Sequence, residues 1–386
     1  MKSPKFAIGL FVSSLIFFSA AVLLFWRSSF AQINTPTSNL AVTPNRQIVA
    51  HVKTPEPVRA IYMTGWAAAT SSLRNHIIKL AKNSEVNSIV IDIKDYTGQI
   101  LFDTEDDALK KLGTEEIRIK DLKELIEDLH KENIYVIARI AVFQDPLFAQ
   151  KYPKTAVQST KGGVWKDQNG LSFIDPSVRE YWAYIVQIGK AAEKIGFDEL
   201  NFDYIRFPTD GRLDEMVFSA SKVHANTSTS AVSNRTWIMM GFFAYLREQL
   251  AHLNIPLSAD LFGMTMSNTD DLRIGQLLEA AAPFFDYICP MVYPSHYPKG
   301  FMKYANPAQY PYEIVHYAMK SGYERLQNIN QNPAKIRPWL QDFDMGARYD
   351  EAKVRAQKKA VYDSGLTGWM MWDPKNEYTI SAYDKP

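Results

Sequence analysis

Eight short β-like runs recur after Val58, most of them separated by a segment of helical periodicity, and that alternation leaves the chain few ways to fold. The runs are 59–65, 88–94, 135–142, 199–205, 256–263, 287–293, 336–341 and 368–372. Strands that alternate with helices pair in parallel, because each helix returns the chain to the same end of the sheet. Eight such units close the sheet on itself, so the predicted fold class is α/β, a (β/α)8 TIM barrel. The spacing predicts helices over 71–83, 120–132, 177–195, 234–252, 306–327 and 350–363, with a weaker period over 269–282. Asp175 reads as the N-cap of the third helix, with Pro176 at its first position. Two long connections, 143–174 and 209–233, follow the third and fourth strands. That is the side on which barrel enzymes grow substrate-binding loops.

The regions before the barrel have a different character. Lys2 and Lys5 precede an apolar run over 6–26, and Ser29-Phe30-Ala31 follows with small residues at signal-peptidase spacing. Residues 1–31 therefore read as a signal peptide or signal anchor, about 21 apolar residues being enough to cross a bilayer. A membrane contact through this segment and an exported product, anchored or secreted, are the expectations. Residues 32–57 are rich in Thr, Pro and Asn and read as a flexible linker, leaving 58–386 for the barrel. A net charge of +1 gives no electrostatic case for nucleic acid. Cys289 is the one cysteine, so the domain has no internal disulfide and rests on its core.

The fourth run separates a polar row from an apolar one. Leu200, Phe202 and Tyr204 alternate with Glu199, Asn201 and Asp203. In a barrel the helices cover the apolar row, while the polar row looks inward and its last member reaches the mouth. The same test turns Tyr62, Thr64, Ser88, Val90, Asp92, Lys94, Ile137, Arg139, Ala141, Ser258 and Asp260 inward. Met291, Tyr293, Trp339, Gln341, Met370 and Trp372 follow by the same parity. Polar and aromatic residues gather at the strand ends, which is the pattern of a site, since a buried charge without partners is costly.

Asp203 and Asp260 stand at adjacent strand ends and fit the two carboxyl groups that glycosidic cleavage needs. The expectation is Asp203 as nucleophile or base and Asp260 as general acid, with aromatic walls from Trp66, Trp339, Trp372 and Tyr293. The competing structural reading pairs Asp203 with Arg206 or Arg139 and has Asp260 cap a loop. Asp92 beside Lys94 reads as an ion pair, with Asp92 and Asp95 also open to sugar hydroxyls. No metal and no cofactor are expected: the seven histidines are scattered, and no HExxH, EF-hand, GxSxG, P-loop or GxGxxG pattern is present.

Three stretches carry a family likeness: Phe202-Asp203-Tyr204-Ile205-Arg206-Phe207-Pro208, the segment from Ile288 to Tyr297, and Arg337-Pro338-Trp339-Leu340-Gln341-Asp342-Phe343. They resemble the bacterial "putative glycosyl hydrolase domain" family over about Val58 to Tyr378. The resemblance implies an exported TIM barrel akin to glycosidases with a catalytic Asp on the fourth strand. It supports Asp203, Arg206, Tyr293, Ser295, His296, Trp339 and Gln341 as site residues. Arg206 has the wrong parity and contributes only if the chain turns near Ile205. Asp92, Arg139 and Trp372 complete the expected substrate-binding set. Chitinases carry DxxDxDxE on the same strand, and here Asp198, Asn201, Asp203 and Ile205 stand at those positions. Isoleucine in place of the acid glutamate sends the second carboxylate to another strand. The implied function is hydrolysis of an extracellular or envelope polysaccharide. The alternatives are a tethered carbohydrate-binding barrel without catalysis and an envelope scaffold.

Overall fold

A computed structural model describes residues 49–219 and 233–386. The signal or anchor segment and most of the linker lie outside the described residues. Eight strands form the barrel: β1 (Arg59–Met63), β2 (Ser88–Lys94), β3 (Tyr135–Ala141), β4 (Glu199–Asp203), β5 (Leu257–Phe262), β6 (Tyr287–Met291), β7 (Trp339–Gln341) and β8 (Trp369–Trp372). They close in chain order, every neighbour parallel, with β8 beside β1. Helices α1 (Gly65–Ala69), α2 (Ser71–Lys82), α3 (Asp107–Leu112), α4 (Leu122–Lys131) and α5 (Pro146–Lys151) accompany the first half. The second half carries α6 (Arg179–Lys194), α7 (Asn234–Leu250), α8 (Leu278–Ala281), α9 (Pro311–Asn328) and α10 (Glu351–Asp363). The predicted barrel is thus present, with five of its strands ending one or two residues earlier than alternation suggests.

β4 shows why. Tyr204 takes a left-handed φ of 51°, which turns the chain out of the ladder directly after Asp203. Two helix expectations also change. Asp175 does not cap α6, whose first turn follows Val178. Its carboxylate instead accepts from Ser177 N at 2.9 Å and from Ser219 Oγ at 2.7 Å, tying the two long connections together. A short antiparallel pair, Gln158–Ser159 with Met216–Val217, makes a second tie between them. The weak period over 269–282 yields only the single turn of α8.

Inside the barrel the side chains stack in layers. Leu200 and Phe202 join the core under the helices, while Glu199, Asn201 and Asp203 are buried on the inner face. At the floor, Glu199 pairs with Arg337 and accepts from Ser258 Oγ at 2.6 Å and Tyr135 OH at 3.1 Å. One layer up, Asn201 Nδ2 donates to Ser258 Oγ at 3.0 Å. Asp203 sits above both. Apolar Val90, Ile137, Met370 and Cys289 fill the rest of the interior.

The segment just before β1 touches the barrel. Val52 N donates to Asp198 Oδ1 at 2.8 Å and Thr54 Oγ1 to Tyr135 OH at 3.2 Å, so this segment lies along the barrel floor. Among the described residues, no helix is long and apolar enough to cross a membrane.

Candidate active site

The strand register brings the predicted acids to one level. Phe202 lies opposite Ala259, so Asp203 at the end of β4 stands beside Asp260 of β5. On the other side Ala141 of β3 lies opposite Asp203, and Arg139 opposite Asp92 of β2. Arg139 occupies the middle. Its Nη1 donates to Asp92 Oδ1 at 2.5 Å, its Nη2 forms a close ion pair with Asp203 Oδ2, and its Nε lies 3.7 Å from Asp260 Oδ2. All four side chains are buried.

Three carboxyl groups thus share one guanidinium in a site of low dielectric. Full ionisation would leave uncompensated buried charge, which proteins avoid by protonating one member. The hydrogen bonds identify that member. Asp92 accepts from Arg139 and from Tyr62 OH, and Asp203 accepts from Arg139 and from Tyr204 N. Asp260 Oδ1 accepts only from neutral donors, Asn201 Nδ2 and Trp339 Nε1, each at 2.8 Å. Its Oδ2 has no hydrogen-bond partner, and neither has Arg139 Nε. Burial first, then the charge of Asp203, pushes the Asp260 carboxyl well above the usual range, with Arg139 opposing. Burial also raises Asp92, against the pull of Arg139 and Tyr62.

A cavity of about 360 Å³ opens above this group. Eight expected residues line it: Asp203, Asp260, Arg139, Arg206, Tyr293, His296, Trp339 and Trp372. Arg206 gets there because the chain turns at Tyr204, one residue before the expected place, and its Nη2 donates to Asp210 Oδ2 at 3.0 Å. Burial lowers the His296 pKa, which keeps the ring neutral, and Ser295 Oγ lies 3.0 Å from its Nδ1. Trp372 stacks on Tyr62 with centroids 3.8 Å apart, and Arg139 sits 4.8 Å from the Trp372 ring centre.

Other expectations are corrected. Asp92 does not line the cavity but holds Arg139 from behind. It does not pair with Lys94, because the register shifts between Asp92 and Lys94, and Lys94 Nζ bonds Asp145 at 2.9 Å and the Ala141 carbonyl at 2.8 Å. Gln341 also stays out of the cavity. Its Oε1 accepts from Ser295 N at 3.2 Å and Ser295 Oγ at 2.9 Å, fixing the loop that presents His296. Trp66 is no wall of the cavity, being 64% exposed at the rim. Asp95 accepts from Thr97 and Arg118 in the turn after β2.

Tyr204, Asp210, Phe262 and Met291 also line the cavity and were not named as site residues. Phe262 and Met291 share the parity of Asp260 and Tyr293, so alternation carried to the strand ends finds them. Tyr204 reads as outward-facing until its backbone reverses, and Asp210 sits in a loop without periodicity. A larger cavity of about 670 Å³ lies at the floor. Its basic side chains are already engaged: Arg337 with Glu199, Arg247 with Asp286, and Lys335 Nζ with the carbonyls of Ala282 and Phe285. We assign it to the scaffold. Among the described residues, no group of three or more His, Cys, Asp or Glu is placed to hold a metal ion.

A family model described as "Putative glycosyl hydrolase domain" matches residues 60–378. No curated protein matches the chain. Among solved structures, a hypothetical protein from Ruminiclostridium thermocellum ATCC 27405 is 35% identical over 52% of this chain and 96% of its own, with a TM-score of 0.45. The PgaB (BpsB) glycoside hydrolase domain from Bordetella bronchiseptica is 14% identical with a TM-score of 0.61, over 85% of this chain and 99% of its own. The C-terminal domain of a "putative chitinase" from Desulfitobacterium hafniense DCB-2 is 11% identical with a TM-score of 0.53, over 84% and 96%. At such identities the last two likenesses concern the fold.

Proposed function

The chain belongs to the family described as "Putative glycosyl hydrolase domain", and from that premise we propose that it cleaves glycosidic bonds of a polysaccharide, with Asp260 as general acid and Asp203 as nucleophile or base. The observation that carries the assignment is the unequal treatment of two neighbouring carboxyls by one guanidinium. Asp203 is closely ion-paired and hydrogen-bonded to Arg139, whereas Asp260 accepts hydrogen bonds only from neutral donors, keeps its Oδ2 at 3.7 Å from Arg139 Nε without a hydrogen bond, and has a raised pKa. A raised carboxyl beside a second one held by a guanidinium suits the two roles in glycoside hydrolysis.

Asp260 donates its proton to the departing glycosidic oxygen and becomes charged as it does so. The partnerless Nε–H of Arg139 then faces the new carboxylate, so this attraction grows only as the bond breaks. Interactions that strengthen in the transition state are the ones that accelerate a reaction. Asp203 attacks the anomeric carbon or activates a water from the other side. Arg206, Tyr293, His296 and the outer face of Trp372 bind sugar in the cavity. Asp92, Tyr62 and Gln341 position these groups. The apolar run over 6–26 supports an exported location, so the substrate is an extracellular or envelope polysaccharide.

Activity of D203N and D260N on a broad glycan panel tests the assignment. Each change lowers kcat roughly a hundred- to ten-thousand-fold on a responsive glycan. D203N protein that cleaves at the wild-type rate sinks it. Glycan capture by the wild type without any released sugar would make the barrel a binding module.

A further inference from the structure

The mouth is built unevenly. Beyond β3 and β4 the described parts of the two long connections are joined by the Gln158–Ser159 and Met216–Val217 pair and by Asp175. Beyond β1 the chain enters α1 after a single residue, beyond β2 it turns back between Asp95 and Gly98, and at these two neighbouring strand ends large aromatic rings stand in solvent. Trp66 is 64% and Tyr96 52% exposed, whereas among the other described tryptophans only Trp237 is comparably open. Single exposed aromatics are unremarkable. These two share a rim and a built support.

Trp66 lies on α1, three residues past the end of β1, and Tyr96 two residues past β2. The guanidinium of Arg118 covers one face of the Trp66 ring at 4.0 Å from its centre. The same guanidinium bonds Asp95 Oδ2 at 3.3 Å and Gln99 Oε1 at 3.0 Å, so it joins the Trp66 ring to the turn that carries Tyr96. α1 is seated against the catalytic layer: a Cβ on Gly65 would come within 3.5 Å of the Asp92 carbonyl oxygen. Its N-cap Thr64 bonds Asn376 Oδ1 through both N, at 3.1 Å, and Oγ1, at 3.0 Å. One face of the Trp66 ring is thus backed and held, and the other is open. The rim also continues the cavity, because Trp372 lines it and stacks on Tyr62 of β1, the strand that leads into Trp66.

We propose that Trp66, backed by Arg118, and Tyr96 form a distal subsite on which a sugar ring of the same glycan chain stacks, several units from the bond held in the cavity. The inference rests on the polysaccharide-hydrolase reading and deepens it, assigning a chain long enough to leave the cavity over β1 and β2. Flat aromatic faces bind the apolar C–H faces of pyranose rings while leaving the hydroxyls in water.

The test measures binding of the full-length chain to length series, two to eight units, of glucose, N-acetylglucosamine, glucosamine and galactosamine oligomers. In the wild type, affinity for the responsive sugar rises with length beyond the units the cavity holds. In W66A and Y96A that added gain is lost, weakening the longest oligomer about tenfold and leaving the shortest unchanged, the loss expected for one stacking contact. Long oligomers bound equally by wild type and both variants would overturn the subsite while leaving the catalytic reading intact. If the wild type binds none of the series, both fall. Conservative W66F retains part of the gain, which a folding defect would not allow.

Discussion

At the scale of residues, Asp260 has the most to reveal. Its raised pKa comes from burial and from Asp203, so the proton it needs as general acid is kept above the pH at which an ordinary carboxyl loses it, and is lost as pH rises through the raised value. The linkage runs in one direction. A folded-state pKa above that of the unfolded chain stabilises the fold fully below the unfolded value and withdraws that support as pH climbs through the folded one. Asparagine copies the neutral carboxyl. D260N is therefore expected to lose activity but to lose less stability than the wild type as pH rises, as urea midpoints measured in both proteins at a low and a high pH would report. A steeper loss in the variant would contradict the protonated assignment. In D203N, the carboxyl-carbon resonance of Asp260 titrates at a lower pH than in the wild type, since a repelling charge has gone; an unchanged midpoint argues against coupling between the two acids.

At the scale of elements, the site depends on where strands stop. β4 ends because Tyr204 adopts positive φ, and that single reversal brings Tyr204 and Arg206 to the cavity. β5 ends at a close approach: a Cβ on Gly263 would lie 2.3 Å from the Met291 carbonyl oxygen of β6. Backbone cannot yield there as a side-chain tip can. Gly263→Ala is expected to part the ends of β5 and β6 and cost about 1–3 kcal/mol. Because those ends carry Asp260 and Met291, turnover should fall as well. A lowered urea midpoint at constant slope, with reduced kcat, would bear this out; a variant of unchanged midpoint would not. Both reversals escape a reading by alternation, which assumes that a strand continues until its pattern fails.

At the scale of the whole molecule, the chain enters the barrel at the floor, opposite the mouth. Asp198 gathers the entry: Val52 N donates to it at 2.8 Å, and His130 Nε2 lies 3.0 Å and His51 Nδ1 3.5 Å from its oxygens. His51 also reaches Glu193 at 3.7 Å. Hydrogen bonds to Asp198 and then Glu193 raise the His51 pKa to about 9 against the cost of burial. A raised histidine contributes stability fully below its unfolded value near 6.5 and loses it as pH rises through about 9. H51Q should thus weaken the fold at pH 6 and match the wild type at pH 10, by denaturant titration. An equal loss at both values would assign His51 to packing alone.

The residues that look inward, and the pairing of Asp203 with Asp260 on neighbouring strands, were legible from period-two alternation and the count of eight βα units, because side-chain direction in a strand is a local property of the backbone. The likeness of three short stretches to a glycosyl hydrolase family was legible too, and the family match over residues 60–378 agrees with it. Sequence offered roles for Asp203 and Asp260 only as an expectation, and the charge network that joins them to Asp92 and Arg139 forms only when β2, β3, β4 and β5 close side by side. Sequence could not tell that Gln341 serves the His296 loop, that Lys94 turns to Asp145, or that Trp66 stands outside on Arg118. Protonation and exposure depend on burial and on neighbours distant along the chain, so those assignments belonged to the tertiary structure.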